Sequence, residues 1–276
     1  MDDLLEIAAA LLPGVNLDRA VLATEGNVHR VLLVPGTAAV RVSKRPLAAA
    51  TMPRRVAVLH ALAAADLPFQ VPVPLTPVTP FGDQTAVAVS WLDGTPLPKG
   101  EGSPDQVAEV LEAVRSVPLD AGLLAAVDGR AEGRHWSDVI GTDVVPRLPR
   151  RWQAEVLRRL DAALALDPVP DALVHGDLGG GNVHWSADGK LLGVLDWDTA
   201  MPADPAIDAA LMAWHGWDTV RRAVSAQTYH RARTWDALLG VGHLVACMNG
   251  RPMTSPDGFV QAVVPWLEAD GQPAAE

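Results

Sequence analysis

Two carboxylates and one amide stand close enough along this chain to serve a single reaction: Asp177, Asn182 and Asp196. Leu173-Val174 leads into His175-Gly176-Asp177, and Leu178-Gly179-Gly180-Gly181 then separates Asp177 from Asn182. An Asp and an Asn five positions apart thus bracket a glycine-rich turn. Beyond it, residues 182–186 and 191–196 read as two strands joined at Ala187-Asp188-Gly189-Lys190, a composition that favours a tight hairpin. Folding that hairpin returns Asp196 to the level of Asn182 in whichever register the strands pair. Three oxygen-bearing side chains then converge, a donor set that suits a hard cation such as Mg²⁺ rather than zinc. Phosphoryl transfer needs such a set, because a cation clamps the phosphates while a carboxylate orients an acceptor hydroxyl and takes its proton. Asp177 is placed for the proton, Asn182 and Asp196 for the cation.

The elements that must position these groups are legible on either side. Leu4, Ala8, Leu11 and Leu12 recur at helical spacing before Pro13-Gly14 ends the pattern. Segments 21–24, 28–34 and 38–43 are rich in Val and Leu and are separated by Glu25-Gly26-Asn27 and Pro35-Gly36-Thr37, so they read as an antiparallel sheet. Val56, Leu59 and Ala63 mark an amphipathic helix, and 85–91 a further strand after the turn Pro80-Phe81-Gly82-Asp83. A first lobe over residues 1–91 follows. Residues 92–102 hold three Gly and two Pro, the composition of a connector, and a helical second lobe over 103–276 completes the division. It opens on Ser103-Pro104-Asp105-Gln106, which supplies an N-cap, a proline at the first helical position and a capping-box Gln. Helical patterns recur over 136–145, 152–166, 207–214, 227–239 and 259–269. The expected fold class is α+β, with an antiparallel-sheet N-lobe and a mainly helical C-lobe.

Composition narrows the partners. With 276 residues and 49 % apolar content the chain can bury a sizeable core, yet no apolar run approaches the ~20 residues of a membrane span. The start Met1-Asp2-Asp3 lacks the basic region of an export leader, so a soluble, cytoplasmic protein is expected. Cys247 is the only cysteine, which excludes an internal disulfide and a thiolate metal cluster. The net charge of −11 repels nucleic-acid phosphates and anionic lipid, and favours a cationic or neutral small substrate.

His175-Gly176-Asp177, Asn182 with four residues intervening, and Leu195-Asp196-Trp197-Asp198 resemble the catalytic and metal-binding segments of the aminoglycoside phosphotransferase and choline kinase superfamily. The likeness is specific over 173–208, and the order of elements agrees over nearly the whole chain. It implies a two-lobed, protein-kinase-like fold with a five-stranded N-lobe, a hinge and a helical C-lobe. It implies transfer of the γ-phosphoryl group of ATP or GTP to a hydroxyl, aminoglycoside-like antibiotics being the leading acceptors and macrolides, choline, homoserine and amino sugars remaining open. By the same resemblance Asp177 is the catalytic base, Asn182 and Asp196 are Mg²⁺ ligands, and the backbone of Ser90, Trp91 and Leu92 is the hinge that holds adenine. Asp204 and Asp208 correspond to structural aspartates after the metal loop. The family's basic residue in the third strand is matched by Arg41, and the Glu expected on the next helix would fall near Arg55. Residues 52–65 contain no acidic side chain, so the sequence predicts an Arg41 without an ionic partner, ordered only by bound phosphates.

Other residues keep two readings at this level. Gly26-Asn27 suits backbone donors over the phosphates or a plain turn, and Arg41, alternating with Val40 and Val42, suits phosphate binding or the solvent face, with Lys44 as the substitute. Asp198 could meet the metal or a substrate amine, or cap the next segment. Trp214 continues the stripe Ile207, Ala210, Leu211, yet Trp214-His215-Gly216-Trp217-Asp218 follows the metal loop, in a region that borders the acceptor pocket of the resembled fold. Trp214 and Trp217 are therefore candidates for a substrate wall, and Asp218 for an ammonium-binding anion or an N-cap. His175 and His184 read as structural. A metal-dependent phosphoesterase would need further His ligands in Gly-His or His-x-His contexts, which His215, His230 and His243 lack. A non-catalytic nucleotide-binding module, suggested by the missing Glu, has no chemical need for Asp177, Asn182 and Asp196 together.

Overall fold

The computed structural model describes residues 1–23, 28–127, 136–248, 263–264 and 267–268. Alternation of apolar residues builds the N-lobe sheet from β1 (Val21–Leu22), β2 (His29–Val34), β3 (Ala38–Ser43), β4 (Thr79–Phe81) and β5 (Gln84–Ser90). All neighbours are antiparallel, in the order β1-β2-β3-β5-β4. Val40, Val42, Ala86 and Ala88 cluster with Leu4, Ile7 and Leu11 of α1 (Asp2–Leu11) on one face. Val87 and Val89 cluster with Met52, Val56 and Leu59 of α2 (Pro46–Ala64) on the other. Successive strand residues point to opposite faces, so Arg41, between Val40 and Val42, is delivered to the α2 side. One segment departs from expectation: Pro80 and Phe81, read as part of a turn, belong to β4. That strand lies at the sheet edge, where a residue without an N–H is tolerated.

The chain leaves β5 at Ser90 and enters α3 (Pro104–Arg115) through the expected capping box, with Gln106 N–H donating to Ser103 Oγ at 3.2 Å and Ser103 N–H to Gln106 Oε1 at 2.9 Å. The C-lobe continues with α4 (Ala121–Val127), α5 (Trp136–Val139) and α6 (Arg150–Leu164), and after a strand region with α7 (Ala206–Leu211), α8 (Trp217–Ala223) and α9 (Ala226–Met248). The helix expected over 136–145 is α-helical only to Val139, after which a π turn and a 3₁₀ turn carry the chain past Pro146, which cannot donate to a regular ladder. The helix expected over 259–269 lies largely outside the described residues, with 263–264 and 267–268 helical. Among the described residues no helix is long and apolar enough to cross a membrane.

Two short ladders frame the loops that matter. β6 (Ala172–Val174) pairs with β9 (Met201–Ala203), and β7 (Val183–Trp185) pairs with β8 (Leu191–Val194) as the expected hairpin. Asp204, just beyond β9, fastens this region to α9. Its Oδ2 accepts from Arg231 Nε at 3.0 Å, Arg231 Nη2 at 2.6 Å and Trp235 Nε1 at 2.6 Å, and both charged partners are buried. Removing one partner of such a pair leaves an uncompensated buried charge. Asp204→Ala should therefore lower unfolding free energy by about 3–5 kcal/mol in urea titrations, and a change within experimental error would show that the pair is dispensable.

Candidate active site

β6 delivers His175 into a turn that only glycine can complete. Gly176 has φ +77°, and a methyl group on it would come within 2.8 Å of the Thr199 carbonyl oxygen. Asp208, on α7, receives the backbone N–H groups of His175 at 2.8 Å and of Gly176 at 3.0 Å, one on each carboxylate oxygen. Burial pushes Asp208 up to about 7, against the pull of those two amides. His175 is fully buried, and Nε2 donates to the Leu195 carbonyl at 2.7 Å, leaving Nδ1 to accept from Asp177 N–H at 3.2 Å. Each of these bonds suits a neutral ring, and burial holds His175 down at about 4. The histidine thus braces the loop that carries Asp177 against the one that carries Asp196.

Asp177 emerges from this brace recessed in the cleft yet accessible to solvent. Asn182 Nδ2 donates to its carboxylate at 3.1 Å and to its carbonyl at 2.8 Å. Desolvation by the surrounding protein, then the charge of Asp196, raises Asp177 to about 6 despite the Asn182 hydrogen bond. The β7–β8 hairpin places Val183 opposite Val194, and Leu195 N–H donates to the Asn182 carbonyl at 2.8 Å, so Asn182 and Asp196 are brought to the same level. Trp197 is buried after Asp196, donates from Nε1 to the Val194 carbonyl at 2.9 Å and stacks on Phe69 with ring centroids 6.0 Å apart. Asp196 has φ 56° and ψ 60°, the one non-glycine left-handed residue among those described. A conformation that costs free energy persists where the surroundings over-determine it, and it clusters at functional sites.

Arg41 completes the cleft, and here the sequence expectation is corrected. Its Nη2 lies 2.7 Å from Asp198 Oδ2, 3.4 Å from Asp196 Oδ1 and 3.1 Å from His29 Nδ1. The arginine predicted to have no ionic partner has a carboxylate, but it comes from the metal loop instead of α2. Arg55, where a Glu was expected, donates from Nη1 to the same Asp198 oxygen. Burial alone would raise Asp198, and Arg41 and Arg55 outweigh it, holding Asp198 below the ordinary carboxylate range. Burial and the neighbouring Asp198 raise Asp196. Asp198, which on sequence could meet the metal or a substrate amine or cap the next segment, is engaged by two guanidinium groups, and the turn it lies in has no side-chain cap.

The remaining candidates divide. Ser90 N–H donates to Val73 O at 2.8 Å, Trp91 N–H to Thr37 O at 3.3 Å, and Leu92 is buried against Gly193, so segment 90–92 is held between the sheet and the β7–β8 hairpin. Trp214 lies beside the catalytic loop: a methyl group on Gly180 would be 3.7 Å from its ring. Its Nε1 donates to Leu97 O at 3.4 Å, and its carbonyl accepts from Gly100 N–H at 2.9 Å, which ties the connector to this wall. Trp217 is committed to packing, edge-on to Tyr229 at 5.7 Å and covered by the Arg233 guanidinium at 4.4 Å. Asp218 is exposed in the first turn of α8, 3.8 Å from Arg221, and the cap position belongs to Gly216. Gly26-Asn27 lies outside the described residues. Sequence reasoning missed Arg55, although Met52, Arg55, Val56 and Leu59 fall at i, i+3, i+4, i+7, and a basic residue on an apolar stripe is itself the signal of a buried partner.

The geometry agrees with what known proteins show. The phosphotransferase enzyme family matches residues 20–241. The chain is 33 % identical over 238 residues to the viomycin phosphotransferase of Streptomyces vinaceus, covering 80 % of this chain and 82 % of that one. It superposes on the GDP and kanamycin complex of APH(2")-IIia with a TM-score of 0.77, covering 98 % of this chain and 99 % of that one at 16 % identity. Macrolide 2'-phosphotransferase type I gives a TM-score of 0.67 over 100 % and 97 % of the two chains at 22 % identity. These likenesses bear out the expected two-lobed, kinase-like fold. With the family's sequence pattern running from β1 into α9, the chain belongs to the phosphotransferase enzyme family.

Proposed function

We propose that this phosphotransferase carries the γ-phosphoryl group of ATP or GTP to a hydroxyl of a cationic or neutral antibiotic. The observation that carries the reading is the junction of Asp177 with Asn182 and Asp196 in a cleft closed on its other side by Arg41. The acceptor class is supported by the viomycin phosphotransferase relative, and by fold relatives solved with kanamycin, gentamicin or streptomycin. GDP, ADP and ATP complexes among those relatives support a nucleoside triphosphate as donor. We assign residues 1–91 to nucleotide binding, 92–102 to the hinge and 103–276 to catalysis and the acceptor, in the cytoplasm where the donor is made.

Each residue then has a chemical task. Asp177 accepts the proton of the acceptor hydroxyl as its oxygen bonds to phosphorus, while the bond from phosphorus to the β,γ-bridging oxygen breaks and the diphosphate leaves with that electron pair. Asn182, by donating from Nδ2 to Asp177, orients the base and keeps Oδ1 for a cation. Asp196 keeps 49 % of its side chain accessible, so an oxygen-only donor set from Asn182 and Asp196 fits Mg²⁺. When bound, Mg²⁺ would offset the charge of the phosphates. Arg41 binds phosphate oxygens, the backbone of Ser90 to Leu92 holds the adenine or guanine, and Trp214 walls the acceptor beside Gly180. Trp217, packed on Tyr229 under Arg233, and exposed Asp218 are given no task in this reading.

A screen of viomycin, kanamycin, streptomycin, a macrolide and choline for substrate-dependent diphosphate release tests the reaction, and release with none of them would remove antibiotics as the substrate class. Asp177→Asn should lower kcat by roughly 10² to 10⁴ and leave nucleotide affinity within a few-fold, and full turnover would end its role as base. Because Asp177 must be ionised to accept a proton and sits near 6, kcat/KM of the parent should fall as pH drops through about 6. That acid limb should vanish from the residual activity of Asp177→Asn. Asn182→Ala and Asp196→Ala should each abolish the Mg²⁺-dependent part of nucleotide binding measured by fluorescence, and equal binding with and without Mg²⁺ in the parent would refute the metal assignment.

A further inference from the structure

Three charged side chains from three separate elements meet at one oxygen. Asp198 Oδ2 accepts from Arg41 of β3 at 2.7 Å and from Arg55 of α2, and all three side chains are largely withdrawn from solvent, at 14 %, 16 % and 7 % exposure. Arg41 and Arg55 belong to the N-lobe, whereas Asp198 stands two residues after Asp196 on the far side of the cleft. Buried Trp197 lies between the two aspartates and holds their turn rigid through Val194 and Phe69. The same Arg41 Nη2 that meets Asp198 also reaches Asp196 at 3.4 Å.

We propose that Asp198 is a positioning residue of the phosphate site: anchored by Arg55, its carboxylate holds the Arg41 guanidinium beside Asp196 and ties α2 to the metal loop before nucleotide arrives. This rests on the reading of the cleft as the nucleotide site. A long side chain already held in place loses less conformational freedom on binding, so the tether contributes to nucleotide affinity through preorganisation. Arg41 and Arg55 together face Asp198 and Asp196, two cations against two carboxylates. Arg55 therefore anchors Asp198, and Arg41 is oriented by both aspartates. The carboxylate that the resemblance places on the helix has been exchanged for one on the loop, and the helix carries the compensating cation.

Moving the carboxylate back tests this. Asp198→Ser leaves two buried arginines with only Asp196 beside them, Arg55→Glu adds a third carboxylate to Asp196 and Asp198 around Arg41, and Asp198→Ser/Arg55→Glu replaces the loop carboxylate by one from the helix side. Nucleotide KM, acceptor KM and the thermal midpoint are measured for all three and the parent. The expected result is a nucleotide KM raised about tenfold or more in Asp198→Ser and in Arg55→Glu, with acceptor KM within about threefold, and recovery to within about threefold of the parent in the double variant. An Asp198→Ser enzyme with the parent's nucleotide KM overturns the proposal, as does a folded double variant no better than the worse single one. Should Asp198→Ser fail to fold, Asp198→Asn, which keeps the shape and removes the charge, takes its place, and a parent-like nucleotide KM in it overturns the proposal. Loss of turnover in Asp177→Asn with no effect of the exchange on nucleotide KM would reject the tether only. Full turnover in Asp177→Asn would reject the underlying reading instead.

Discussion

Asp177, Asp196 and Asp198 repel one another across a single cleft, and much of the surrounding structure answers that repulsion. The three carboxylates are offset to different extents. Asp198 receives two guanidinium groups and is held below the ordinary range, Asp196 shares one of them, and Asp177 receives only the amide of Asn182 and is raised to about 6. Environments that push titratable groups apart in this way separate their roles, so the least compensated carboxylate is left able to take a proton near neutrality. The cation expected between Asn182 and Asp196 would supply the charge that the protein itself withholds.

Holding those groups apart by fixed amounts requires a stiff backbone. Asp208 grips the N–H groups of His175 and Gly176 from α7, His175 reaches across to Leu195, and Thr199 donates to the His175 carbonyl at 2.7 Å. The loop of Asp177, the loop of Asp196 and α7 are therefore one hydrogen-bonded unit. Asp204 extends it to α9 through Arg231 and Trp235. The buried aspartates Asp204 and Asp208 thus fix the backbone that presents Asp177 and Asp196, and the strain at Asp196 is held by contacts on both sides of it.

The N-lobe meets this unit at Asp198 as well as at the Phe69–Trp197 stack. In the family that the sequence resembles, the basic residue of the third strand is partnered from the following helix. Here the helix is basic at that position and the partner comes from the loop. The interaction survives with its charges redistributed because Coulomb attraction depends on distance and shielding, not on which element supplies the carboxylate.

The convergence of the candidate site residues was legible in the sequence because it is local. Asp177, Asn182 and Asp196 lie within twenty residues on a glycine turn and a hairpin, and the period-two pairing of the hairpin alone brings its ends together. The alternation around Arg41 and the capping box at Ser103 were equally readable, since each is set by neighbours a few positions away. The partner of Arg41 was not. Asp198 is separated from it by 157 positions and from Arg55 by 143, and no periodicity links residues at such distances. The separate fates of Trp214, beside the catalytic loop, and Trp217, under Arg233, also depended on how α7, α8 and the connector pack. Sequence alone determined which side chains could do the chemistry. Only the tertiary structure decided which charges face one another, because burial and proximity, which set the strength of an ion pair, are properties of the assembled cleft.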